Sequence, residues 1–139
     1  MSNAVGTLVR PQLDRSTGTL GLALGDLVVL AGFLTLGSMN HGVDPATMTG
    51  RVAGTVAPFL IGWVVAAPLV GAYAPDATRT VGTAAVRASL AWIPAAAIGL
   101  ALRSTDFFHG GSPWTFALVV TGVGLASFVA WRAAAAVLR

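Results

Sequence analysis

LGLALGDLVVLAGFLTLG, residues 20–37, is apolar or small throughout except for Asp26 and Thr35. Crossing the hydrocarbon core of a bilayer takes about 20 such residues in a helix. A carboxylate inside such a run is rare and faces a partner or a cavity rather than lipid. Outward from this stretch the pattern repeats. Val81–Leu102 is a second apolar run with Arg87 as its single charge, and two further runs nearly exhaust the 139 residues. The expected architecture is all-α, an integral membrane four-helix bundle. Residues 1–18 form a flexible cytoplasmic tail rich in Ser, Thr, Gly and Arg, and residues 19–139 form the transmembrane domain.

Composition agrees. Hydrophobic residues make up 55% of the chain and charged residues 9%, with a mean hydropathy of +0.80. Soluble domains carry about 25% charged residues, so a surface this poor in charge could not be kept wet. The net charge of +3 and pI near 11.2 raise the question of nucleic acid. All eight basic residues are Arg, however, and they are scattered with no basic run to track phosphates, so nucleic acid is not an expected partner. There is no Lys and no Glu, which removes Schiff-base lysine chemistry. The absence of Cys excludes disulfides, iron–sulfur ligation and thiolate zinc sites. The first run is preceded by Arg10 and Arg15, as a signal peptide would be. It is longer than a typical signal core, contains Asp26 and lacks a small-x-small cleavage site, so it reads as a retained span.

The expected helices are Leu20–Ser38, Arg51–Ala74, Arg79–Leu102 and a fourth from Pro113 to Val137. Pro58 and Pro68 fall inside the second, and Pro94 marks a kink in the third. Asp44-Pro45 and Pro75-Asp76-Ala77-Thr78 are turn signals, with Asp76 or Thr78 capping the third helix. His41-Gly42 marks the end of the first helix. Four spans put both termini on one side. That side holds Arg10, Arg15, Arg79, Arg132 and Arg139, with Arg87 just inside, against Arg51 and Arg103 opposite. The Arg excess makes it cytoplasmic in a cell membrane, with His41 and His109 in external loops. Trp114 and Trp131 are placed to form interfacial belts. The two helix pairs share no spaced motif, so an inverted-repeat transporter is not indicated.

Asp26 and Arg87 each lie six residues into helices that enter from the same face, hence both about 9 Å deep at about 1.5 Å per residue. Equal depth predicts an intramembrane Asp26–Arg87 ion pair, since either charge alone costs up to ~3 kcal/mol at mid-span. Arg87 shares a helix face with Thr83, Ala84, Ala91 and Pro94, and Gly21, Gly25 and Gly32 form a small stripe on the first helix, both suited to close packing. Arg132 lies at similar depth on a face with Thr121 and Phe128 and is left without a partner. Arg87 and Arg132 are therefore the candidate site for an anion or lipid headgroup. Read this way, the pair is a register pin fixing which helices meet. The alternative makes Asp26 a proton-coupling carboxylate. An acidic residue in the first helix of a small four-helix protein is similar to small multidrug transporters, but a guanidinium partner would hold Asp26 charged and oppose proton cycling. A clear Arg bias is also unlike dual-topology transporters.

His41 and His109 are weak candidates for a metal or haem site, with only Asp44 and Asp106 nearby, and no metal or cofactor is expected. Ser38, Ser89 and Ser127 have no neighbouring base and read as interhelical hydrogen bonds rather than nucleophiles. Trp63 and Trp92 lie deeper than the belts, and their indole N–H groups need partners inside the bundle.

Leu24-Gly25-Asp26-Leu27, His41-Gly42, Ala57-Pro58-Phe59-Leu60-Ile61-Gly62-Trp63, Pro68, Tyr73-Ala74-Pro75, Arg87 and Ala130-Trp131-Arg132 follow one another along the chain. Together they resemble a family of small, uncharacterised prokaryotic membrane proteins, domain of unknown function 3054. The resemblance covers nearly everything after the tail. It implies a four-helix integral membrane protein and marks Asp26, His41, Pro58, Trp63, Arg87 and Arg132 as family-like, without attaching chemistry to them. The leading functional expectation is a non-enzymatic membrane protein, an accessory subunit or a small-ligand or lipid binder. Its partners are membrane lipid and either further copies of itself or a membrane complex. The alternatives are a small oligomeric transporter using Asp26, and a haem or metal carrier using His41 and His109.

Overall fold

Four helices account for most of the computed structural model, which describes residues 17–108 and 111–138. They are α1 (Thr17–Asn40), α2 (Thr49–Leu69), α3 (Val81–Arg103) and α4 (Trp114–Leu138). Each is long and apolar enough to cross a membrane. The tail expected over 1–18 falls outside the described residues up to position 16, while Thr17 and Gly18 already belong to α1.

The helices form a closed ring in chain order. α2 packs on α3 and α3 on α4 along extensive seams, and α1 closes the ring by narrower contacts with α2 and α4. The seams rest on small residues that let backbones approach. α3 buries Ala84, Ala88, Ala91, Ala95, Ala96 and Gly99, with Trp92 as its one large inward residue. On α2, Gly62 lies directly against the backbone carbonyl of Ala95, leaving no room for a Cβ. α1 buries only Leu22, Asp26, Leu30 and Leu34, a single row at four-residue spacing. Of its expected glycine stripe only Gly25 meets a neighbour, the Trp131 ring, while Gly21 and Gly32 face open space.

Leu24, Val28, Leu36, Val64, Ile93 and Leu118 lie on the outside, and Asp26 and Arg132 are fully buried. Apolar surface around a charged interior is the arrangement a lipid solvent favours and water does not.

α1 ends where His41-Gly42 implied. Gly42 sits at φ 83°, the Val43 N–H donates to the Ser38 carbonyl at 3.0 Å and the Gly42 N–H to that of Met39 at 3.0 Å. α2 closes in the same way and five residues earlier than expected. Gly71 has φ 76°, with Ala72 N–H donating to Ala67 at 3.0 Å and Gly71 N–H to Pro68 at 3.3 Å. Residues 70–80 therefore form a connecting loop. Its Ala72, Ala74, Ala77 and Thr78 are buried, so it lies over the end of the bundle rather than away from it. α3 is capped by Thr80, whose hydroxyl accepts from the Thr83 N–H at 3.0 Å, and not by Asp76 or Thr78. α3 runs as one helix through Pro94.

Candidate functional site

At the loop 70–80 end of the bundle, one buried carboxylate collects four donors. Arg132 grips Asp26 with a two-pronged fork, Nε to Oδ1 at 2.9 Å and Nη2 to Oδ2 at 2.7 Å. The Trp131 indole N–H donates to Oδ1 at 3.0 Å and the Tyr73 hydroxyl to Oδ2 at 2.6 Å. Each oxygen thus accepts two bonds. The third Arg132 nitrogen, Nη1, donates to the Ala72 carbonyl at 2.6 Å. Trp63 donates its indole N–H to the Tyr73 oxygen at 2.8 Å. The Arg132 guanidinium also lies over the rings of Tyr73 at 5.2 Å and Trp63 at 5.9 Å. A planar fork on a planar carboxylate is the strongest form of this interaction, and here no buried polar side-chain atom among the described residues lacks a partner.

The expected Asp26–Arg87 pair is corrected by this geometry. α1 lies beside α2 and α4, across the ring from α3, so equal depth does not bring Asp26 to Arg87. Arg132 from the adjacent α4 takes that place, and it is not the unpartnered charge that the sequence suggested. Arg87 turns to the loop just before its own helix. Its Nη1 donates to the Gly71 carbonyl at 2.5 Å and its Nη2 to Asp76 Oδ2 at 3.1 Å. The paired candidate Arg87 and Arg132 therefore belongs to two separate networks on the same loop. Trp131 joins the first of them and does not serve purely as a belt residue. Tyr73 and Asp76 were missed as partners. Their signal was the loop itself, ending a helix at Gly71 and carrying both a phenol and a carboxylate.

Burial, followed by the neighbouring Asp26 carboxylate, pushes the Tyr73 phenol well above the ordinary tyrosine range. Tyr73 is therefore held as a neutral donor. Behind the network lies an aromatic core. Trp63 stacks on Phe128 with centroids 4.3 Å apart, and Trp92 lies 5.1 Å from Phe128 while donating its indole N–H to the Thr121 carbonyl at 3.0 Å. Both deep tryptophans thus find partners within the bundle.

On the outer side of the loop, Leu69, Val70, Gly71, Ala74, Pro75, Asp76, Arg79 and Arg87 line a cleft of about 450 Å³. Arg79 is exposed and its side chain has no partner among the described residues. At the opposite end, Arg103 donates to the Gly111 carbonyl at 2.9 Å and lies 4.4 Å over the Phe116 ring.

The remaining candidates are not brought together. His41 is exposed on the α1–α2 loop, where Asp44 accepts from the Ala46 N–H at 2.9 Å, and His109 lies outside the described residues. Among the described residues no group of three His, Asp, Glu or Cys could hold a metal ion. Ser38, Ser89 and Ser127 bond back to carbonyls of their own helices, Leu34, Ala85 and Val123, at 3.0, 2.8 and 2.7 Å, rather than across helices.

A family model described as "Protein of unknown function (DUF3054)" matches residues 23–135, which takes in most of each of the four helices and both Arg networks. Comparison with curated proteins and with solved structures finds no match.

Proposed function

The chain belongs to the DUF3054 family of proteins of unknown function, and from its own chemistry we propose that it is a non-enzymatic membrane protein that binds anionic lipid. The observation that carries this reading is the cleft at loop 70–80, where Arg79 and Arg87 stand beside the apolar walls of Leu69, Val70 and Pro75. An amphiphile presents those two chemistries together, a charged headgroup at the water boundary and a chain against apolar side chains. Arg87 starts on α3 inside the apolar span and reaches outward to loop carbonyl and carboxylate, as a snorkelling arginine does. Both termini and the cleft are cytoplasmic in this reading, in keeping with the Arg excess on that side and with the anionic inner leaflet.

The Asp26 network supports a structural role for that carboxylate. Both its oxygens are filled by donors from Tyr73, Trp131 and Arg132, which leaves no acceptor site for a travelling proton or substrate. The test is lipid retention in nanodiscs containing equal anionic and zwitterionic lipid, read by native mass spectrometry. Anionic lipid is expected to remain bound to the wild type and to be lost from Arg79→Gln. Equal retention of both lipid classes by both proteins rules the reading out.

A further inference from the structure

The charges at the cleft go further than a preference for anions. Arg87 is held by two bonds, to the Gly71 carbonyl and the Asp76 carboxylate, so its guanidinium is fixed before any ligand arrives. The same ion pair at 3.1 Å largely neutralises it. Arg79 has no such partner among the described residues, which therefore leave one surplus positive charge at the cleft. Asp76 also lines it, with its side chain 44% exposed. A ligand must therefore satisfy one surplus cation while standing close to a fixed carboxylate.

We propose that the cleft selects a monoanionic phosphodiester headgroup over a dianionic phosphomonoester, an inference that rests on the lipid-binding reading above. A phosphodiester brings one negative charge, which Arg79 meets. A monoester carries about −1.5 to −2 at neutral pH, so its second charge falls beside Asp76 with no further cation among the described lining residues to balance it. Size agrees, since about 450 Å³ accommodates a phosphate and a small polar substituent rather than a whole lipid. The exposed Leu69 at the cleft wall, 70% accessible, gives the acyl chains an apolar surface that a free phosphate would not use. Arg79 is the contact to the headgroup. Arg87 is a positioning residue, and Asp76 sets the charge limit.

The experiment uses the full chain in nanodiscs containing phosphatidylglycerol, phosphatidic acid and phosphatidylcholine in equal amounts, with bound lipid identified by native mass spectrometry. Phosphatidylglycerol is expected to be retained about fivefold over phosphatidylcholine, the size expected for one surface arginine, and Arg79→Gln should abolish that excess. Phosphatidic acid should fall below phosphatidylglycerol in the wild type and rise to match or exceed it in Asp76→Asn. A defect in folding alone would not invert that order. If wild-type protein retains phosphatidic acid best, the phosphodiester inference fails while anionic-lipid binding stands. If no anionic lipid exceeds phosphatidylcholine, both fail. Displacement of phosphatidylglycerol by an equal concentration of its soluble deacylated headgroup would make the ligand a free anion and overturn the lipid assignment.

Discussion

Asp26 is held by residues from α4 and from the α2–α3 loop, and its removal exposes how a buried ion pair is stabilised. Asp26→Leu leaves Arg132 charged in an apolar interior, and Arg132→Met does the same to Asp26. Each is expected to lower unfolding stability in micelles by about 3–5 kcal/mol, whereas the double variant should lose less than either alone. A double variant as unstable as the two losses added together would mean that the pair does not act as a unit. Tyr73, the chain's single tyrosine, allows a clean optical test. Because its folded ionisation is raised, the neutral phenol contributes stability that is fully present below about pH 10 and is lost as pH climbs toward the folded value. Native protein should therefore show no tyrosinate absorbance at pH 10, and unfolded protein at that pH should show about half. An ordinary titration in the native state would contradict the burial of this hydroxyl. That Asp26 would be paired was legible from its apolar surroundings. Which arginine it meets was not, because depth is written in helix position while adjacency around the ring depends on packing that the charges alone do not specify.

At the level of elements, the four helices and the end of α1 follow from apolar length and from His41-Gly42. The end of α2 does not follow from Pro75, the residue that most resembles a stop. Gly71 terminates the helix first, because a left-handed residue at that point satisfies two of the last carbonyls. Without that stop there would be no loop to carry Tyr73, Asp76 and the cleft. Helix contact is likewise unequal among similar glycines. Gly62→Ala is expected to cost about 1–3 kcal/mol, since a new Cβ meets the rigid Ala95 backbone and must push α2 from α3. Gly32→Ala, facing open space, should be neutral or slightly stabilising through helix propensity. Comparable losses at both positions, read from unfolding in micelles, would count against the α2–α3 seam.

For the whole molecule, orientation is the property with most bearing on function, and a chain without cysteine makes it measurable. Thr105→Cys places a thiol on the α3–α4 loop, and Pro75→Cys places one on the α2–α3 loop. In intact cells a membrane-impermeant maleimide should label Thr105→Cys, whereas Pro75→Cys should react only after lysis. The reverse pattern would place the cleft outside and remove the argument from the inner leaflet's charge.

The fork between Asp26 and Arg132 joins positions 106 residues apart, on the first and last helices. Ribosomal order gives that separation a meaning for biogenesis. In order of synthesis the Asp26 carboxylate is made 106 residues before its guanidinium partner, so until α4 follows, α1 carries a charge that apolar surroundings disfavour. A polypeptide halted after α3 would retain only Tyr73 among the described donors to Asp26. Such a fragment would leave the carboxylate without its guanidinium, at the cost an unpaired charge carries in apolar surroundings.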